Sequence, residues 1–101
     1  MMFSRLLPLI ALIALFPAAA QASEDLAKRN GCAACHAVDK KVVGPSWHDI
    51  ASKYKGKDIH GELAAKVKAG GKGVWGNVPM PPQAKVSDAD LKALLTWVAT
   101  Q

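Results

Sequence analysis

The 101-residue chain has two cysteines, Cys32 and Cys35, and both lie in "NGCAACHAV", with His36 directly behind them. Three chemistries use thiols at that spacing. A tetrahedral zinc site needs about four ligands, commonly two such pairs far apart in sequence. Here only His48, His60 or an acid could complete one, and none has the spacing. A thiol–disulfide pair needs its first cysteine at a helix N-terminus beside a parallel sheet, where the thiolate is stabilised. No alternation of strands and helices surrounds the motif. The third chemistry is covalent haem attachment, for which Cys-x-x-Cys-His is the signature. On a helical turn, residues three apart share a face, so both sulfurs can meet the vinyl groups along one edge of a porphyrin while the next residue, His36, reaches the iron.

A five-residue motif can arise by chance, so a second signal is needed. Beyond Met1 and Met2 the chain has one methionine, Met80, in "VPMPP". A lone methionine is ordinarily a core filler. Pro79, Pro81 and Pro82 stiffen the backbone around this one and hold its side chain in place, as a ligand requires. A thioether on iron raises the reduction potential, and two protein ligands leave no position for oxygen or peroxide. Outer-sphere one-electron transfer is then the chemistry that remains.

The elements that must bring Met80 to His36 occupy only part of the chain. Arg5, the apolar run Leu6 to Phe16, and Ala20 and Ala22 in an A-x-A arrangement read as a secretory signal peptide over residues 1–22, with the cut expected after Ala22. The apolar run is well short of the roughly 20 residues that span a bilayer. The domain is expected from Ser23 to Gln101, and a chain so short buries a small core and needs a staple. A disulfide across a two-residue gap removes little entropy from the unfolded chain, so a bound cofactor is the better candidate.

Within residues 23–101 the pattern predicts short helices and no sheet. A first helix is expected over 24–30 with Ser23 as N-cap and Gly31 following it. A loop centred on Gly44-Pro45 leads to a short helical turn over 49–55. Asp58 is the expected N-cap of a helix with the stripe Ile59, Leu63 and Val67, ended by Gly70-Gly71. The stretch "GGKGVWGNVPMPPQAKV" is too rich in glycine and proline for regular structure, and a loop that long in a small domain is usually functional. The last helix should start at Ser87, with Asp88 and Asp90 in its first turn and Leu91, Leu94, Leu95 and Val98 as its buried stripe.

"GCAACHAV", "VGP", "GVWGNVPMPP" and "LLTWVATQ", in this order, resemble the small bacterial class I cytochromes c of the cytochrome c-551 (cytochrome c8) family over the whole of residues 23–101. The resemblance implies an all-α class I cytochrome c fold, with short helices packed around one covalently attached haem c. It implies thioethers at Cys32 and Cys35 and axial iron ligands at His36 and Met80. Pro45 matches a proline whose carbonyl accepts the imidazole N–H, and Trp75 a tryptophan that donates to a haem propionate. Lys66 falls where relatives often carry an arginine near a propionate. Gln83 replaces an asparagine that donates to the methionine sulfur. Trp47 and Trp97 are expected in the core, and His48 and His60 at the surface.

These features describe a periplasmic, monomeric electron carrier between respiratory membrane complexes and a terminal reductase or oxidase. The rivals are a haem enzyme or gas sensor with an open sixth position, a haem-free thiol–disulfide oxidoreductase, and a docking subunit of a larger haem complex. The formal charge is +5. Lys28, Lys40, Lys41, Lys53, Lys55, Lys57, Lys72 and Lys85 would steer the protein to acidic docking patches on redox partners in brief encounters. The basic residues are not clustered with aromatics, so nucleic-acid binding is not expected.

Overall fold

Ser87 shows most directly how this sequence starts a helix. Its hydroxyl accepts a hydrogen bond from Asp90 N at 3.1 Å, Asp88 and Asp90 face the positive end of the helix dipole, and Asp88–Val98 follows as a helix. In the computed structural model, which describes residues 8–11 and 18–101, with side chains from Ser23 onward in the latter span, the elements are α1 (Ala18–Arg29), a 3₁₀ turn (Cys32–Ala34), α2 (Trp47–Lys53), α3 (Ile59–Ala69) and α4 (Asp88–Val98). Among the described residues there is no β-strand. The architecture is all-α, as the pattern of the sequence predicts.

α4 is the hub, with α1, α2 and α3 all packed against it. Leu91, Leu94, Leu95 and Val98 are buried as expected, and Trp97 joins them. They meet Ala27 of α1, Trp47 and Ile50 of α2, Tyr54, and Ile59 and Leu63 of α3. Lys68 of α3 also pairs with Asp88 at the start of α4, and the lysine holds the Asp88 carboxyl below the usual carboxylate range. Both side chains are exposed enough that packing, not this pair, joins the two helices. Ser87→Ala, which removes the cap of the hub helix, should cost about 1 kcal/mol. A thermal melt should register that as a fall of roughly 4–8 °C in Tm.

Two helix starts differ from expectation. α1 begins at Ala18 rather than after Ser23, because Ala18, Ala19, Ala20, Gln21 and Ala22 are strong helix formers and propagate the helix upstream. Ser23 is therefore internal and caps nothing. Most of the expected leader, Met1 to Ala22, lies outside the described residues. α2 spans Trp47–Lys53, not 49–55, since Ser46 is its cap and accepts from Asp49 N at 3.0 Å. Serine followed three residues later by an acid is a capping-box pattern, and it starts the helix two residues earlier. α3 begins after Asp58, whose carboxylate accepts from Gly61 N at 3.3 Å, and stops at Gly70. No helix among the described residues is long and apolar enough to cross a membrane.

Candidate functional site

Gly31 ends α1 with a φ of +78°, a conformation that glycine adopts without strain. The chain then turns through Cys32–Ala34, where Cys35 N and His36 N both donate to Cys32 O, at 3.1 and 3.0 Å. Cys32 and Cys35 are half-buried free thiols. Burial pushes the Cys32 thiol above its ordinary range. Thiol–disulfide exchange uses the opposite shift.

His36 is buried at 9 % exposure and held from several sides. Its Nδ1–H donates to Pro45 O at 2.7 Å, which leaves Nε2 as the free ring nitrogen. The backbone keeps that acceptor in place: Gly44 N donates to Cys35 O at 2.8 Å, and Trp47 N to Ala37 O at 2.8 Å. Gly44 matters for close approach rather than for its dihedrals, because a Cβ there would stand 2.6 Å from His36 Cε1. Trp47 stacks on the imidazole, with ring centroids 4.5 Å apart.

Met80 arrives from the other end of the chain's connectivity. Its segment is stitched to the end of α3 by two hydrogen bonds, Met80 N to Gly71 O (2.8 Å) and Gly71 N to Met80 O (3.0 Å). Gln83 N adds a bond to Val67 O at 3.0 Å. The Gln83 side chain donates to Pro81 O at 3.0 Å, so its amide nitrogen is engaged within the proline frame. Trp75 is 43 % exposed, with Lys53 Nζ 5.4 Å from its ring centroid. Lys66 Nζ is 3.9 Å from Glu62 Oε1 and 5.9 Å from the Tyr54 ring centroid.

These residues meet in one place. A pocket of about 560 Å³ is lined by Cys32, Cys35, His36 and Pro45 from one segment and by Trp75, Met80 and Gln83 from another, with Lys66 between them. That volume is within the roughly 300–1,000 Å³ of cofactor pockets. Its floor is the core itself, since Ile50, Tyr54, Leu63, Leu94 and Val98 also line it. Two thiols, an imidazole and a thioether around an apolar pocket suit a haem. Among the described residues no group of three or more His, Cys, Asp or Glu side chains is placed to hold a bare metal ion.

Sequence reasoning missed Tyr54, buried at 4 % exposure in the pocket wall. It also missed the second role of Trp47, which serves the core and the imidazole at once. Proximity to Pro45 was the one available hint for Trp47, and nothing local marks Tyr54. His48 is exposed and donates to Gln101 O at 2.9 Å. His60 is half-buried and joins α3 to α4 through Thr96 Oγ1 at 2.9 Å.

Known proteins place the chain independently of this geometry. The family model described as Cytochrome c matches residues 20–101. Cytochrome c-552 of Nitrosomonas europaea is 58% identical over 82 residues, covering 80% of this chain and 80% of the relative. Cytochrome c-551 of Azotobacter vinelandii is 51% identical over 81 residues, covering 79% of this chain and 98% of the relative. The crystal structure of wild-type Nitrosomonas europaea cytochrome c552 superposes with a TM-score of 0.73 at 58% identity, over 76% of this chain and 96% of that one. A pocket of cofactor size and relatives this close lead to one conclusion: the chain belongs to the cytochrome c family, a haem-based electron carrier rather than an enzyme, with one covalently attached haem c and its iron as cofactor.

Proposed function

We propose that this protein is a periplasmic one-electron carrier whose haem is tethered by Cys32 and Cys35 and whose iron is held between His36 and Met80. The observation that carries the reading is the convergence of these four side chains, from two separate segments, on one apolar pocket. When bound, the haem iron supplies exchange between Fe2+ and Fe3+ at a potential raised by thioether ligation. The work of the chain is to hold that centre still. Pro45 accepts from His36 Nδ1, which fixes the tautomer and makes Nε2 the ligating atom. The bridge between Gly71 and Met80 anchors the proline frame to α3. Mostly apolar residues line the pocket, which limits the solvent that has to reorganise when charge changes. Trp75 and Lys66, both on the lining, are the candidates to meet the propionates, and Gln83 stabilises the Met80 segment through Pro81 rather than through the sulfur.

The domain is assigned to residues 23–101, with residues 1–22 an export leader removed on arrival. The protein works as a monomer that meets its partners transiently. Val43, Val74, Trp75 and Val78 are exposed at the pocket, and exposed lysines surround them in the chain. That combination suits a respiratory reductase, oxidase or cytochrome complex with an acidic docking patch, because charge complementarity speeds encounter without requiring tight binding.

Absorption spectra of the purified protein, oxidised, reduced and reduced under carbon monoxide, combined with intact mass, test the assignment. The expected result is a mass increased by one haem and a reduced spectrum that carbon monoxide leaves unchanged at neutral pH. Prompt carbon monoxide binding would overturn it. Met80→Ala should convert the protein to one that binds carbon monoxide at once and whose reduction potential falls, since the thioether that raises it is gone.

A further inference from the structure

The hydrogen bond from His36 to Pro45 places one ring nitrogen but holds the ring plane loosely, because the terminal torsion of a histidine is broad and roughly two-fold. Contacts on the face and edge of the ring remove that freedom. The Trp47 indole lies on the imidazole, with centroids 4.5 Å apart and planes inclined by 26°. Gly44 closes the Cε1 edge, where a Cβ would sit 2.6 Å away.

Trp47 is itself braced. Trp97 of α4 meets it edge-on at 5.8 Å and 68°, and the two indoles are buried at 9 % and 7 % exposure. Its backbone N–H donates to Ala37 O at 2.8 Å, one residue beyond the histidine. Indole and imidazole thus ride on two segments that are tied together, and the hub helix backs them.

We propose that Trp47 is a positioning residue for His36: its indole face sets the plane of the imidazole and biases the redox poise of the centre that His36 ligates, with Trp97 holding the indole from behind. This rests on the ligand assignment above. The bias has a sign. The face of an indole is electron-rich and attracts positive charge, and an imidazole on iron is more positive in the oxidised state than in the reduced one. Trp47 therefore favours the oxidised protein, and its removal raises the reduction potential.

Redox titration and proton NMR of the ferric holoprotein test this in Trp47→Leu, Trp47→Phe, Trp97→Phe and Ala27→Gly. Trp47→Leu should shift the potential to more positive values and rearrange the hyperfine-shifted resonances, which report the orientation of the axial ligands. Trp47→Phe keeps a ring and should show a smaller shift of the same sign. Ala27→Gly, a buried α1 change away from the pocket, should lower Tm and leave both readouts alone. A Trp47→Leu protein with the wild-type potential and resonances, or with a lower potential, overturns the proposal. If Trp47→Leu does not fold, Trp97→Phe decides: loosening the brace must move the resonances, and a wild-type pattern overturns the proposal. Carbon monoxide separates the two readings. Prompt binding by the reduced wild type removes Met80 from the ligand assignment and leaves His36 in it, whereas a wild type that refuses carbon monoxide beside an indifferent Trp47→Leu removes only the role of Trp47.

Discussion

Cys32→Ala/Cys35→Ala protein freed of haem is expected to show no cooperative thermal transition and to lose most of its helical circular dichroism. The reason is where the pocket sits. Ile50, Tyr54, Leu63, Leu91, Leu94, Leu95 and Val98 belong both to the buried core and to the pocket lining, and only Ala27, Ile59 and Trp97 of the core lie off it, so little core is left behind the cofactor. A cavity costs about 24 cal/mol per Å³ where the structure does not collapse into it. For a pocket of about 560 Å³ that is of order 10 kcal/mol, comparable with the entire 5–15 kcal/mol stability of an ordinary domain. Partial collapse recovers some of it, but the collapsed chain is then no longer this fold. Circular dichroism against temperature is the measurement, and a sharp melt of the haem-free variant would refute the expectation.

Gly70→Ala is expected to be the most damaging single methyl in the chain. Gly70 has φ 71° and ψ −172°, a region open essentially to glycine alone and worth about 1–3 kcal/mol of strain for other residues. A Cβ there would also stand 2.5 Å from Met80 O and 2.7 Å from Pro82 N. Both obstacles are backbone, within the segment that carries Met80, and cannot swing aside as a flexible side chain could. The combined loss should be about 3 kcal/mol or more, a fall in Tm on the order of 12–24 °C for a domain of this size. The displaced segment should also release its side chain, so the reduced variant is expected to bind carbon monoxide. Gly73→Ala provides the comparison, since Gly73 has φ 102° with nothing within 4 Å of the added methyl. It should show the strain without the clash, and equal losses at the two positions would disprove the steric account.

The helix starts show why some of this was legible beforehand. Ser87 and Asp58 cap through atoms three residues away, and an interaction that short is written in neighbouring letters. The same locality explains the α2 error. Ser46 and Asp49 lie three residues apart and the Ser46 hydroxyl accepts from Asp49 N at 3.0 Å, so this start too is written in the local pattern, two residues upstream of the expected one. α1 went wrong for another reason: a predicted cleavage after Ala22 removes residues that the intact chain uses as helix.

By itself the sequence pointed to the chemistry proposed for this protein, because Cys32, Cys35 and His36 fall within five consecutive residues and Met80 stands in a proline frame that no helix or strand accepts. It also determined the all-α class, since the stripes of α3 and α4 repeat at three and four. Only the tertiary structure decided how those groups are held. The stacking of Trp47 on His36, the approach of Gly44 to the imidazole, the passage of the Met80 backbone over Gly70 and the turn of Gln83 toward Pro81 are distances between segments, or side-chain choices among several partners within reach. Propensity and periodicity describe a residue and its own helix. They carry no information about which distant surface closes over it.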